Sequence, residues 1–177
     1  MISAGLELCG NTIKLVVLEG GTRGKMKVKA FETCKIDAKQ GEVEDDIVSV
    51  LEGALKRTKA PTGQLVCSVR AQDCMIREIV VPFSEDDKIR KTVKYQAENY
   101  FTSLSIDDLI IEYSKISESD GKSKLLVAGI KKSHIDRRLR FLDEAGTDPL
   151  AIDLDVAALF NTYAHMDVFE DKGAVLL

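Results

Sequence analysis

The sequence has few of the residues from which metal and catalytic centres are built. It contains no tryptophan, three prolines, two histidines and four cysteines in 177 residues. No two cysteines form a C-x-x-C pair, and only His134 and His165 could complete a metal site, so we expect no zinc. Cys9, Cys34 and Cys67 lie in apolar, strand-like surroundings, from which we predict buried, reduced thiols.

Long hydrophobic runs and an excess of basic residues are also missing. The longest apolar runs, such as Leu15 to Leu18, are far shorter than the roughly 18 residues that a membrane-spanning helix needs. The N-terminus lacks the basic flank and apolar region of a signal peptide. Lysine and arginine are scattered among acids, and the net charge is −4, which disfavours nucleic-acid binding. We therefore expect a soluble, cytoplasmic protein.

Hydrophobic periodicity predicts three strands, a helix and a fourth strand in the first 70 residues. Strand-forming residues and period-two alternation indicate strands at 4–9, 13–19, 26–31 and 65–69. Apolar residues at helical spacing from Ile47 to Leu55 indicate the helix between the last two strands. The chain therefore opens with a three-stranded meander.

A second α/β unit follows, in which two helices alternate with strands. We predict strands at 75–81, 109–116 and 124–130, with Ser84 and Ser133 as the helix N-caps. The predicted buried positions of the two helices are Ile89, Val93, Ala97 and Tyr100 in the first, and Ile135, Leu139, Leu142 and Ala145 in the second.

Beyond the second helix the pattern of the first unit resumes. Gly146 is predicted to end that helix in a left-handed conformation, and a strand at 150–154 and a helix at 156–165 follow. The apolar run 173–177 is typical of the start of a further strand, yet nothing that could pair with it follows. We therefore expect that the chain was cut here or that its remainder was left out.

This order of elements predicts two subdomains. Residues 1–71 and 148–177 form the main subdomain, and residues 72–147 form an inserted one. No linker rich in proline, glycine or serine precedes the strand at 75–81, which favours an insertion over an appended domain.

Four stretches in this order resemble type IV pilus assembly proteins of the PilM kind. Ala4 to Val16 looks like the first phosphate-loop hairpin of that family, and Val80 to Phe83 with the following helix resembles its strand, proline and acidic helix. Leu126 to Lys132 and Leu142 to Asp153 resemble its later segments. The resemblance implies an α/β, actin-like (ribonuclease H-like) lobe with an inserted small α/β subdomain, and a second lobe after residue 177.

The resemblance also implies a role and a place in the cell. Proteins of this kind are cytoplasmic scaffolds at the inner face of the inner membrane, where they bind the cytoplasmic N-terminal tail of a single-span assembly protein. The chain would thus be peripheral to the membrane through its partner, and self-association stays open. We expect a scaffold rather than an enzyme and predict no catalytic residues, although enzymatic activity is left undecided.

The family binds nucleotide between its two lobes, so the resemblance implies half of a site for ATP and magnesium. The residues implied are Glu7, Gly10, Asn11, Thr12 and Lys14. Where the family has Asp-x-Gly, this sequence has Glu7-Leu8-Cys9, and a positive φ at Cys9 would cost roughly 1 to 2 kcal/mol. An ordinary hairpin turn and an exposed strand lysine therefore remain alternative interpretations.

Two other functional readings stay open. An actin-like ATPase or phosphotransferase would use Glu7 on the metal side and Asn11 and Thr12 on the phosphates. A scaffold of type II secretion or of cell division would share the same lobe. Acidic residues at 85–87 and 107–108 precede or begin secondary structure, where they are expected to offset helix dipoles.

Overall fold

The computed structural model describes residues 1–20, 26–36 and 43–165. They divide into unit 1, residues 1–70 with the described residues from 139 onward, and unit 2, residues 71–138. The elements are β1 (Ile2–Cys9), β2 (Thr12–Gly20), β3 (Met26–Lys35), α1 (Val43–Thr58), β4 (Leu65–Val69), β5 (Cys74–Val81), α2 (Asp86–Glu98), β6 (Leu109–Ser119), β7 (Lys122–Lys131), α3 (Lys132–Glu144), β8 (Ala151–Leu154) and α4 (Asp155–His165).

Unit 1 is built on a five-stranded mixed sheet of order β3-β2-β1-β4-β8. The meander β1-β2-β3 is antiparallel, whereas β1–β4 and β4–β8 are parallel. Alternate side chains of β1, β2 and β4 pack with α1 into one core, and burying each large aliphatic side chain contributes about 1.5 to 3 kcal/mol. Its fully buried members include Ile13, Leu15, Leu51, Leu65 and Cys67.

The β1–β2 hairpin turns at Gly10 and Asn11. Gly10 has a φ of +58°, a conformation that glycine adopts without steric cost. Cys9 lies in β1, paired with Thr12, and the described non-glycine residues with positive φ are Lys59 and Asp120. The backbone strain that we associated with Cys9 therefore does not arise.

Unit 2 contains a three-stranded antiparallel sheet of order β5-β7-β6 with α2 packed on one face. Ile89, Val93 and Ala97 are buried as their helical spacing predicts. The β6–β7 turn places Asp120 and Gly121 at positive φ. Among the described residues no helix has both the length and the apolar character that crossing a bilayer requires.

Several details of the helices differ from the sequence prediction. Tyr100 was predicted to be buried, but it is 46% exposed, whereas Phe101 is 2% exposed. Because α2 ends at Glu98, helical spacing no longer applies at these positions, and the Phe101 ring joins the core instead of the Tyr100 ring. The N-cap of α2 is Glu85 rather than Ser84. Ser133 lies within the first turn of α3, since that helix already begins at Lys132.

The end of α3 belongs to the core of unit 1. Leu142 and Ala145 are buried there, so unit 1 resumes at residue 139, earlier than the predicted 148. Leu139, a predicted core position, is 38% exposed, whereas Phe141 beside it is 6% exposed. Gly146 has the predicted left-handed conformation, with a φ of +72°.

The cysteines differ in burial. Cys67 is fully buried, as predicted, whereas Cys9 and Cys34 are only half-buried. Both of these lie near the ends of their strands, and Cys34 contacts Arg57 of α1. The apolar run 173–177 falls outside the described residues.

Candidate functional site

A row of polar residues crosses all five strands of unit 1 at one register. Lys14 pairs with Thr33 on one side and with Glu7 on the other, and Ser68 pairs with both Glu7 and Asp153. Directly paired residues point to the same face of a sheet, and this face is opposite the α1-packed core. We call Thr33, Lys14, Glu7, Ser68 and Asp153 the polar row. It lies near the carboxyl ends of the parallel strands, where open α/β sheets bind ligands.

An ion pair occupies the centre of the polar row. The Nζ of Lys14 lies 3.1 Å from Oε2 of Glu7, and the two side chains are 48% and 31% exposed. An exposed pair of this kind contributes about 0.2 to 1 kcal/mol. The charge of the Glu7 carboxylate is thus partly compensated by Lys14, and the carboxylate remains accessible to solvent.

Asp153 brings a second carboxylate to the row. Its Oδ1 accepts a hydrogen bond from the Leu154 N–H at 2.7 Å, and α4 begins at Asp155, whose Oδ1 accepts from the Val156 N–H at 2.7 Å. Ser68 Oγ lies 3.5 Å from the Leu6 carbonyl oxygen. These polar groups therefore lie beside the start of a helix.

The hairpin turn lies beyond the Glu7–Lys14 pair. The Thr12 hydroxyl donates to Oδ1 of Asn11 at 3.4 Å, and the Ile36 N–H donates to the Asn11 carbonyl at 2.7 Å. A Cβ at Gly10 would meet no described atom within 4 Å. Gly10 is therefore required for its backbone conformation and not for close packing.

The predicted site residues are thus partly assembled. Glu7 and Lys14 are in contact, while Gly10, Asn11 and Thr12 form the adjacent turn. Sequence reasoning missed Ser68 and Asp153, which join Glu7 only through parallel pairing with distant strands. The sequence signal that could have indicated Asp153 is its position near the end of the strand predicted at 150–154.

The polar row could hold the magnesium ion of a bound nucleotide only through water molecules that coordinate the ion. Mg²⁺ takes oxygen ligands at about 2.0 to 2.1 Å, whereas Glu7 and Asp153 are two strands apart, roughly 10 Å between backbones. No group of three potential metal ligands occurs among the described residues. The row thus fits a magnesium ion bound through water, with Lys14 facing a phosphate, and does not fit a metal held by protein alone.

Unit 2 has a second feature of interest on the sheet face opposite α2. We call Ile76, Glu78, Val80, Lys124, Leu126 and Ala128 the open face of unit 2. Val80 is 58% exposed and Leu126 is 42% exposed. The Nζ of Lys124 lies 2.9 Å from Oε1 of Glu78, so the apolar pair is framed by one charge of each sign.

The acids before and within α2 and β6 are held by lysines. Asp86 accepts from Lys115 at 2.6 Å and Asp107 from Lys94 at 2.7 Å. These hydrogen bonds lower the pKa of both carboxyls. Both carboxylates remain charged at neutral pH, and their ion pairs connect α2 to β6 and to the turn before β6.

His134, one of the two histidines considered for a metal site, is exposed in the first turn of α3.

Comparisons with known proteins give a family and a fold. The family model described as type IV pilus assembly protein PilM matches residues 5–173. A solved PilM–PilN type IV pilus biogenesis complex contains a similar chain, with a TM-score of 0.78, 18% identity, and coverage of 93% of this chain and 51% of that one.

A second similar structure is the cytoplasmic domain of EpsL, an inner-membrane component of the type II secretion system of Vibrio cholerae. Its TM-score is 0.61 at 15% identity, with coverage of 89% of this chain and 59% of that one. The chain therefore spans about half the length of the solved chains that it matches. No curated protein sequence matches it significantly.

Proposed function

The chain belongs to the family of the type IV pilus assembly protein PilM, as its resemblance predicted, and its fold is the predicted actin-like α/β lobe. From this premise we propose that it acts as a scaffold at the cytoplasmic face of an inner-membrane assembly complex and binds the N-terminal tail of a PilN-like partner. The observation that carries this proposal is the likeness, over 93% of the chain, to a PilM solved with PilN.

The open face of unit 2 is the surface that we assign to this tail. Val80 and Leu126 are diagonal neighbours on adjacent strands and on the same sheet face, because Val80 pairs with Lys124 and Leu126 with Glu78. An extended or helical tail could place an apolar side chain over the two, and their burial would contribute up to about 1.5 to 3 kcal/mol each. The Glu78–Lys124 pair beside them would favour a tail with charges of both signs.

Binding should be measured with the synthetic N-terminal cytoplasmic peptide of the PilN-like protein from the same organism, by fluorescence anisotropy. We expect Val80→Glu and Leu126→Glu each to weaken binding at least about tenfold, which corresponds to about 1.4 kcal/mol. The matched control is Leu150→Glu, because Leu150 in unit 1 is 65% exposed, against 58% for Val80, and lies outside the open face.

Two outcomes would oppose the proposal in different ways. Absence of binding by the unmodified chain would overturn the scaffold role. Binding that Val80→Glu and Leu126→Glu leave unchanged would keep that role and move the tail to another surface.

Nucleotide binding is a second candidate function, favoured by the polar row. When bound, magnesium would neutralise phosphate charge, with Glu7 and Asp153 holding its water ligands and Lys14 facing a phosphate oxygen. Because Cys9 has no positive φ, we expect Cys9→Gly to leave the affinity for magnesium ATP unchanged, whereas Lys14→Met should abolish it. Calorimetric titration checks both expectations.

Hydrolysis and the type of machinery need separate tests. Steady ATP hydrolysis that is lost in Glu7→Ala would favour the ATPase or phosphotransferase alternative over a scaffold. The likeness to EpsL concerns the fold alone and leaves type II secretion, like cell division, as an alternative setting. Deletion of the gene should abolish surface pili if the pilus role is correct, and should leave protein secretion and septation intact.

A further inference from the structure

The edge strand β3 has features of a docking site for another polypeptide segment. It contains ten residues, which corresponds to roughly 33 Å of extended chain. Within the described residues it lies at the end of the sheet and pairs with β2 alone. The outer row of its backbone N–H and C=O groups is therefore directed away from the sheet, as in sheets that accept an added strand.

Large apolar side chains of β3 are unusually exposed. Met26 is 61%, Val28 59% and Phe31 65% exposed. Val28 pairs with Leu18 and Phe31 with Val16, and a bulge between Val17 and Leu18 keeps both on the polar-row face. An added strand would bring its own side chains beside these two, since neighbouring residues on one sheet face are about 5 Å apart.

The charges of β3 discriminate between occupants. The strand contains three lysines, Lys27, Lys29 and Lys35, and a single acid, Glu32. That acid accepts a hydrogen bond from Nε of Arg57 at 2.7 Å and is 22% exposed. Lys29 is paired with Glu19 of β2 at 3.2 Å. Lys27 and Lys35 therefore supply the positive charge of this edge, on a chain whose net charge is −4. A second copy of β3 would bring like charges together, whereas an acidic segment would meet opposite ones.

We propose that β3 binds an extended acidic segment of a partner protein as an additional strand of the unit 1 sheet. Apolar side chains of the segment would lie beside Val28 and Phe31 on the polar-row face, and the acidic side chains that alternate with them would lie near Lys27 on the opposite face. One further acidic residue at the end of the segment would lie near Lys35, which shares the face of Phe31. Backbone hydrogen bonds would supply affinity that depends little on sequence, and the lysines would select for acidic partners. This proposal is independent of the tail proposed for the open face of unit 2.

The probe is a fluorescein-labelled decapeptide in which glutamate alternates with valine or threonine, with one additional glutamate in place of the terminal residue that would lie beside Lys35. We expect the full chain to bind it, and Lys27→Glu/Lys35→Glu to weaken binding about tenfold, because opposite charges across a sheet attract and like charges repel. The control variant is Tyr95→Ser, since Tyr95 is 68% exposed on α2 in unit 2. This variant should bind the probe normally.

A second probe separates strand addition from simple charge attraction. It has the same sequence, but alternate backbone nitrogens carry methyl groups and cannot donate hydrogen bonds. We expect it to bind at least about tenfold more weakly, and the unmodified probe to slow hydrogen exchange of β3 amides but not of β6 amides. Equal affinity of both probes, or unchanged β3 exchange, would overturn the proposal.

Two further results would also overturn it. One is dimerisation of the unmodified chain that slows hydrogen exchange of β3 amides and that the probe does not inhibit, which would assign β3 to a second copy. The other is sedimentation with vesicles of phosphatidylglycerol that depends on Phe31 while the probe fails to bind, which would assign these residues to a lipid surface. Circular dichroism of the variants should match that of the unmodified chain.

Discussion

Gly129 in β7 offers a stringent test of packing in unit 2. A Cβ at this position would lie 3.0 Å from Cδ1 of Ile111 and 3.5 Å from Cζ of Phe101. Carbon atoms prefer separations of about 3.5 to 4.0 Å, so the Ile111 contact is too short by roughly 0.5 Å. Overpacking of this kind costs about 1 to 3 kcal/mol. Since φ is not positive at Gly129, alanine also removes about 0.4 to 1 kcal/mol of unfolded-state entropy.

The two effects can be separated with a second substitution. Ile111→Val deletes Cδ1, the atom that would clash, and alone should destabilise by about 0.5 to 1.5 kcal/mol. We expect Gly129→Ala to lower the free energy of unfolding by about 1 kcal/mol in the original background. In the Ile111→Val background the same change should be neutral or stabilising by up to about 1 kcal/mol.

Urea unfolding of the four proteins, combined with hydrogen exchange of β7 amides to follow unit 2, gives the coupling energy. A value of about 1 to 2 kcal/mol is expected. If Gly129→Ala costs the same in both backgrounds, the Ile111 contact does not determine the effect. Gly129 faces α2, whereas Leu126 faces the opposite side of the sheet. The affinity for the partner tail should therefore be equal in all four proteins.

Other predictions concern unit 1. The hydrogen bond from Arg57 lowers the pKa of the Glu32 carboxyl below its ordinary value of 4.5, so the pair stabilises the fold above that pH and loses this effect as pH falls through the lowered pKa. Arg57→Leu should flatten this acid limb in pH-dependent urea unfolding, and an unchanged limb would contradict the assignment. Burial, with help from Glu32, raises the pKa of the Cys34 thiol, so its alkylation at neutral pH should be slower than in a denatured control and faster in Glu32→Gln. Gly146→Ala should cost about 1 to 2 kcal/mol in thermal or urea unfolding because φ there is +72°; a neutral result would mean that the helix end relaxes.

The order of elements could be predicted because it depends on local apolar periodicity. The first and last residues of each element were harder to predict, as β3 illustrates. We predicted this strand to end at Phe31, whereas it runs to Lys35. Glu32 and Cys34 interrupt its apolar pattern, and both contact Arg57 at the end of α1. That contact joins residues far apart in the chain and leaves no mark in the local sequence.

The candidate site could also be predicted only in part, because some of its contacts are local and others join distant strands. The contact between Glu7 and Lys14 follows from one hairpin register, which the Gly10 turn determines. The addition of Ser68 and Asp153 depends on two parallel pairings, each formed across a long connection. Nothing in the spacing of the sequence specifies which strands become neighbours. The exposure of Phe31 and Val80 could likewise not be predicted, because alternation alone does not reveal whether a helix covers a sheet face.

The insertion of unit 2 between β4 and β8 has a consequence for the order of folding. Pairing of Val66 with Ala151 closes a loop that contains the whole of unit 2, and such non-local contacts form slowly. Cys74 and Ile130, close to the two ends of unit 2, are paired within its own sheet. Once that sheet has formed, Cys74 and Ile130 are held within about 5 Å of each other, so that only residues 67–73 and 131–150 remain in the loop that the pairing of Val66 with Ala151 must close. Folding of unit 2 during synthesis on the ribosome would therefore lower the entropic cost of completing the unit 1 sheet.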